Sequence, residues 1–353
     1  MNTILGLLII AIGSFGQSSS YVPIKKVKNW SWESFWLTQG VFAWLVFPLL
    51  GALLAVPAGS NLIEILSPDI KSTLFGVEMT PAFGSLFFGV LWGVGGLTFG
   101  LSMRYLGVAL GQSIALGTCS AFGTIIPALF FDKQDLLHGA GLILLLGVCI
   151  TLAGIFIIGY AGSLRAKNMT EEQKKAAIKD FALTKGLLVA LLAGVMSACF
   201  NLGLTAGKPI AEAAKSLGAS DLFATLPATM MVTFGGFLTN AVYCLFQNYK
   251  NKTFKDYTSS SGKVWLNNLM FCALAGVLWY SQFFGLSMGK SFLADNAIML
   301  AFSWSILMAL NVTFSNVWGI ILKEWKGCSS KTIGVLVAGL AILIFSVFFP
   351  NLF

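Results

Sequence analysis

The stretch GVLWGVGGLTFGLSM runs from Gly89 to Met103, and GVLWYSQFFGLSM runs from Gly276 to Met288. Both read Gly-Val-Leu-Trp, a short variable piece, then Phe-Gly-Leu-Ser-Met. Each copy lies inside a long apolar run. A helix needs about 20 apolar residues to cross the hydrocarbon core of a bilayer. Ten runs of that kind are present, at 4–22, 34–56, 82–102, 107–131, 139–160, 186–207, 221–246, 265–288, 294–321 and 332–352. A transmembrane β-barrel would show short alternating segments instead. The repeated phrase occupies the third run and again the eighth.

Ten crossings marked this way divide as five plus five. Five is odd, so a second copy of the unit must enter the bilayer upside down. The fold class expected is therefore all-α integral membrane, with ten transmembrane helices as a 5+5 inverted repeat, a construction common in secondary transporters. Residues 1–160 form the first five-helix repeat, 161–185 a basic linker and 186–353 the second repeat. The first and sixth runs add a weaker echo, each beginning Gly-Leu-Leu, at Gly6 and Gly186. Chance similarity between two apolar helices is the competing explanation. Nine matching residues in order, at the same place in each half, weigh against it.

Composition agrees with a bilayer environment. Of the 353 residues, 57% are hydrophobic and 10% charged, against about 25% charged in an ordinary soluble domain. The net charge of +8 would suggest nucleic acid in a soluble protein, but its placement follows the membrane. Loops after odd-numbered spans hold 17 Lys and Arg, and loops after even-numbered spans hold 5. By the positive-inside rule the odd loops are cytoplasmic and both termini lie outside. The first run lacks a basic n-region and is followed by Lys25, Lys26 and Lys28. That is the reverse of a signal peptide, so it reads as a retained helix. Trp30, Trp32, Trp36, Trp265 and Trp325 stand near span ends, as in an interfacial aromatic belt. The six cysteines show no CxxC spacing and read as small core residues. In the basic linker, Thr170-Glu-Glu-Gln173 fits a capping box, which predicts a short surface helix. Gly93, Gly95 and Gly96 in the third span, and Gly111 with Ala115 in the fourth, are expected to permit close helix packing.

Charge inside a membrane marks function, and here it is nearly absent. All fourteen acids lie in loops or at span ends, with Glu33, Asp221 and Asp295 nearest the interior. His138, the one histidine, stands at the edge of the fifth span. This argues against an exporter of cationic drugs, which needs a buried carboxylate. It also argues against enzyme chemistry, a metal site or a cofactor, because no nucleophile–His–carboxylate set can form. The spans carry neutral polarity beside aromatics. Trp279, Tyr280, Ser281 and Gln282 sit midway in the eighth, Trp92 in the third, and Gln17 with Tyr21 in the first. Asn201 lies in the sixth, Asn240 in the seventh, Gln112 in the fourth, and Ser303, Trp304 and Ser305 in the ninth. A neutral sugar offers hydroxyls at its rim and an apolar C–H face. Amides answer the first and a flat indole or phenol the second. Trp279, Tyr280, Gln282, Trp92, Gln17, Tyr21, Asn201, Asn240 and Gln112 are the candidate substrate-binding residues. Hydrogen bonding between helices is the other use open to each Ser or Asn.

The segments KKVKNWSWE (Lys25 to Glu33), MRYLG (Met103 to Gly107), AGKP (Ala206 to Pro209), WYSQFF (Trp279 to Phe284) and LKEW (Leu322 to Trp325) occur in this order. Over essentially the whole chain they resemble the bacterial L-rhamnose–proton symporters, a branch of the drug/metabolite transporter superfamily. The resemblance implies ten helices, termini outside, a place in the bacterial inner membrane, and uptake of L-rhamnose with a proton. It differs in places. Where the family has Gly-Asn-x-x-Tyr-Gly in the third span, this chain has Gly95-Gly96-Leu97-Thr98-Phe99-Gly100. Where the family's ninth span begins with tyrosine and aspartate, this chain reads Ala294-Asp295-Asn296. These changes keep open another neutral metabolite, or sodium in place of the proton. Asp295, Glu33 and Lys208 are the candidates for proton coupling. A surface or salt-bridge role is the other reading of Asp295, and snorkelling to the interface that of Lys208.

Overall fold

The computed structural model describes residues 2–74, 77–106, 108–167, 183–258 and 261–353. Among the described residues, ten helices are long and apolar enough to cross a membrane. Spans 1 to 5 are Thr3–Ile24, Trp32–Leu53, Pro81–Ser102, Gly111–Phe130 and Gly139–Lys167. Spans 6 to 10 are Thr184–Ser216, Leu226–Asn251, Gly262–Leu293, Ala297–Ile321 and Ser330–Leu352. The capping-box segment Thr170–Gln173 lies outside the described residues.

Helix ends follow local chemistry. Span 9 begins later than the hydrophobic run, because Asn296 caps it by accepting a hydrogen bond from the Met299 backbone N–H. Asp295 therefore precedes the ninth helix instead of lying on it, and it is exposed. Span 7 likewise starts at Leu226, with Pro227 in its first turn, where a missing N–H costs nothing. Asp221 sits before it and pairs with Lys215 at 2.7 Å on the surface. A small hairpin, strands β1 (Ser72–Leu74) and β2 (Val77–Met79), lies between spans 2 and 3.

Span 2 is not a regular α-helix. Val41–Val46 is π-helical, with the Phe47 N–H donating to the Phe42 carbonyl five residues back. Pro48 follows at once and has no N–H with which to close the α-type bond to Trp44. Such π segments are uncommon and concentrate at functional sites.

The chain forms two compact units. One contains Met1–Gly93 and Gly203–Phe292, the other Val94–Leu202 and Leu293–Phe353. Each therefore draws on both halves of the sequence. Inside the first unit, glycines let helix backbones touch, as expected where lipid gives no hydrophobic drive for association. A Cβ on Gly89 would collide with the Val232 carbonyl oxygen of span 7, and one on Gly276 would lie 2.6 Å from Phe42 of span 2. Thus the first residue of each copy of the repeated phrase is pressed against a neighbouring helix. Of the three glycines expected to pack in span 3, Gly93 meets Thr239 and Gly95 meets Ser197, whereas Gly96 faces open space. Inside the second unit, Gly154 of span 5 packs on Leu343, and Gly339 of span 10 on Ile158.

Candidate functional site

The two tryptophans of the repeated phrase meet. Trp92 and Trp279 have ring centroids 5.7 Å apart, inclined at 30°. A third indole, Trp44 of the π-helical segment, stands edge-on to both at 6.0 Å. Trp36 adds a fourth, 5.7 Å from Trp44. Phe283 closes the group, 5.3 Å from Trp279. All five belong to the first unit. The Trp44 ring lies over Gly40, where a Cβ would come within 2.6 Å of it. Glycine at that position is what admits the indole.

Amides border the rings. Gln282 is buried, and its Nε2 donates to the Trp279 carbonyl at 3.1 Å. Asn240 is held on every side: its Oδ1 accepts from Trp36 Nε1 at 3.0 Å, and its Nδ2 donates to Gly236 O at 2.8 Å. It therefore ties spans 2 and 7 together. The Tyr280 ring stands edge-on to Phe284, with centroids 5.3 Å apart. Its hydroxyl lies 3.1 Å from where a Gly51 Cβ would be, and it has no hydrogen-bond partner among the described residues.

The other sequence-predicted residues fall elsewhere. Gln17 accepts from the Ser18 hydroxyl at 3.2 Å. Tyr21 is 53% exposed at the end of span 1. Asn201 and Gln112 belong to the second unit, where Asn201 Nδ2 donates to Gly123 O at 2.6 Å. That unit has its own polar core. Ser305 exchanges hydrogen bonds with Ser120 and Thr124 at 3.0 and 2.8 Å, and Trp304 stacks on Phe200 at 5.8 Å. Trp44 and Gln39 are both buried, and neither was singled out from the sequence. A lone Trp in an apolar run looks like interfacial anchoring, and the only hint was Gly40 with Pro48 on either side.

A second polar cluster joins the start of span 2 to the segment after span 7. The Asp256 carboxylate accepts from the Ser31 N–H at 2.8 Å, the Ser31 hydroxyl at 2.7 Å and the Ser34 hydroxyl at 2.8 Å. Partial burial pushes this carboxyl up, but the three hydrogen bonds outweigh it and hold the group below the usual aspartate range. Glu33 accepts from Asn251 Nδ2 at 2.9 Å and from the Thr253 hydroxyl at 2.8 Å. Among the described residues it is the one buried carboxylate, at 6% exposure. Lys208 and Asp295 are exposed. No group of three or more His, Cys, Asp or Glu suited to a metal occurs among the described residues.

Comparison with known proteins follows the same line as the geometry. The model of the L-rhamnose-proton symport protein (RhaT) family matches residues 1–351. The L-rhamnose-proton symporter of Yersinia pestis (strain Pestoides F) is 32% identical over 345 residues, covering 97% of this chain and 95% of its own. The L-rhamnose-proton symporter of Yersinia pseudotuberculosis (serotype O:1b, strain IP 31758) is similar to the same degree, 32% over 345 residues. With aromatic rings and amides gathered in a ten-span chain, and a match that leaves only its last two residues aside, this protein belongs to the L-rhamnose-proton symport family.

Proposed function

We propose that this chain imports L-rhamnose with a proton across the bacterial inner membrane. The observation that carries the reading is the meeting of Trp92, Trp279 and Trp44 beside the buried amide of Gln282, with no charge among them. Indoles suit the apolar face and methyl group of a deoxy sugar, and amides suit its hydroxyls. A cationic substrate would leave its charge unanswered there. The family and the names of the relatives select L-rhamnose over other neutral metabolites, and the proton over sodium. The chain is a transporter and not an enzyme.

Alternating access follows from two similar, oppositely inserted halves of five spans each. The packing of the repeated phrase supports this. Its first copy, in span 3, rests on span 7, and its second copy, in span 8, rests on span 2. Spans 2 and 7 hold equivalent places in the two halves, so the partnership is exchanged between them. For the proton, Glu33 is the carboxylate that burial favours, ahead of the exposed Asp295 and Lys208.

The test is labelled L-rhamnose uptake into proteoliposomes, with and without an imposed pH gradient. Accumulation that follows the gradient is expected. Uptake indifferent to it overturns symport, and no uptake overturns the substrate. Trp279→Ala and Gln282→Ala are expected to abolish rhamnose binding in a protein that still unfolds cooperatively. Unchanged binding overturns the site.

A further inference from the structure

Two buried polar atoms in span 2 have no hydrogen-bond partner among the described residues: the indole Nε1 of Trp44 and the amide Oε1 of Gln39. Both side chains are 4% exposed. One is a donor and the other an acceptor. A buried polar group without a partner is costly, and more so in a bilayer, where water cannot serve. The neighbouring indole shows the alternative, since Trp36 gives its N–H to Asn240 at 3.0 Å. Trp44 makes no such bond, although it sits at the vertex where Trp36, Trp92 and Trp279 converge. The two open groups lie close in sequence. Gln39 adjoins Gly40, the residue the Trp44 ring covers, and the π-helical turn begins directly after it.

We propose that Trp44 and Gln39 are specificity residues of the sugar site, with the Trp44 N–H donating to a ligand hydroxyl and Gln39 Oε1 accepting from one. This rests on the reading of the tryptophan cluster as that site and adds the hydrogen-bonding pair to it. A sugar hydroxyl both donates and accepts, so it suits a buried donor and a buried acceptor that the protein itself leaves open. The indole planes fix where the ring lies, and these two atoms select which hydroxyls it presents. The π-helical turn is the device that carries Trp44 into the cluster while Pro48 prevents a return to α geometry.

The experiment measures binding of L-rhamnose and its 2-, 3- and 4-deoxy analogues to purified protein, comparing wild type with Trp44→Phe and Gln39→Met. Phenylalanine keeps the ring and removes the donor. Trp44→Phe is expected to weaken L-rhamnose about tenfold or more. For the one analogue that lacks the bonded hydroxyl, wild type and variant should bind alike. An undiminished affinity for L-rhamnose overturns the proposal. So does an equal loss for every analogue, because a packing defect does not distinguish hydroxyls. Trp279→Ala separates the two levels. If it loses binding while Trp44→Phe and Gln39→Met do not, the site stands and the pair falls. If all three bind as wild type, the site itself is wrong. Should Trp44→Phe fail to fold, Gln39→Met carries the same comparison.

Discussion

At the scale of single residues, the polar side chains in the spans divide by whether the protein already answers them. Asn240 is answered three times over, by Trp36, Gly236 and, at 3.4 Å, Gly93. Its sequence context, an amide among apolar residues, left open both ligand contact and hydrogen bonding between helices, and its bonds here are of the second kind. Trp36→Phe should leave Asn240 Oδ1 buried without a donor, at a cost of about 1–3 kcal/mol. A lowered unfolding temperature in detergent, with rhamnose affinity within a few-fold of wild type, is the expected result. Glu33 is different, being buried and ionisable. Glu33→Gln should keep rhamnose exchange between equal pools but lose accumulation driven by a pH gradient. Retained accumulation would place the proton elsewhere. Gln282 and Trp279 could be nominated from sequence because Trp-Tyr-Ser-Gln in mid-span puts polar groups where lipid cannot answer them. Trp44 and Gln39 could not be, because the role proposed for them depends on a backbone irregularity.

Elements were legible where periodicity and length are strong. All ten spans appear where the apolar runs predicted them, with ends moved by caps and prolines such as Asn296 and Pro227. What could not be read was how closely the helices approach. Gly89 and Gly96 look alike in the sequence, but one touches the Val232 carbonyl and the other touches nothing. Gly89→Ala should force spans 3 and 7 apart at about 1–3 kcal/mol, while Gly96→Ala should be neutral or stabilise by up to about 1 kcal/mol. Thermal unfolding of the two variants in one detergent decides this. The Asp256 cluster joins two elements by charge-assisted hydrogen bonds. Its carboxyl is held below the ordinary value of about 3.9, so the folded protein favours the ionised form. That stabilisation is fully present above the unfolded-state pKa and is lost as pH falls through the lower folded-state pKa. Asp256→Asn should therefore destabilise at neutral pH and narrow the gap to wild type under strong acid. A difference that does not change with pH would refute the charge argument.

For the whole molecule, the sequence spoke through its repeated phrase and its lysines. The phrase located spans 3 and 8, and Trp92 and Trp279 do meet. The bias of 17 basic residues against 5 predicts both termini on the outer face. A green fluorescent protein fused after Phe353 should stay dark, and alkaline phosphatase fused there should be active. Bright fluorescence would invert the topology. The grouping of helices into compact units was not legible, because periodicity says which face of a helix is apolar and nothing about which distant helix covers it. That grouping has a consequence for biosynthesis. Met1–Gly93 finds its contacts in Gly203–Phe292, so a nascent chain halted at the basic linker has no finished body to rest in. Two genes cut there should each yield a polypeptide that the cell's proteases clear, and only their simultaneous translation should restore growth on the sugar.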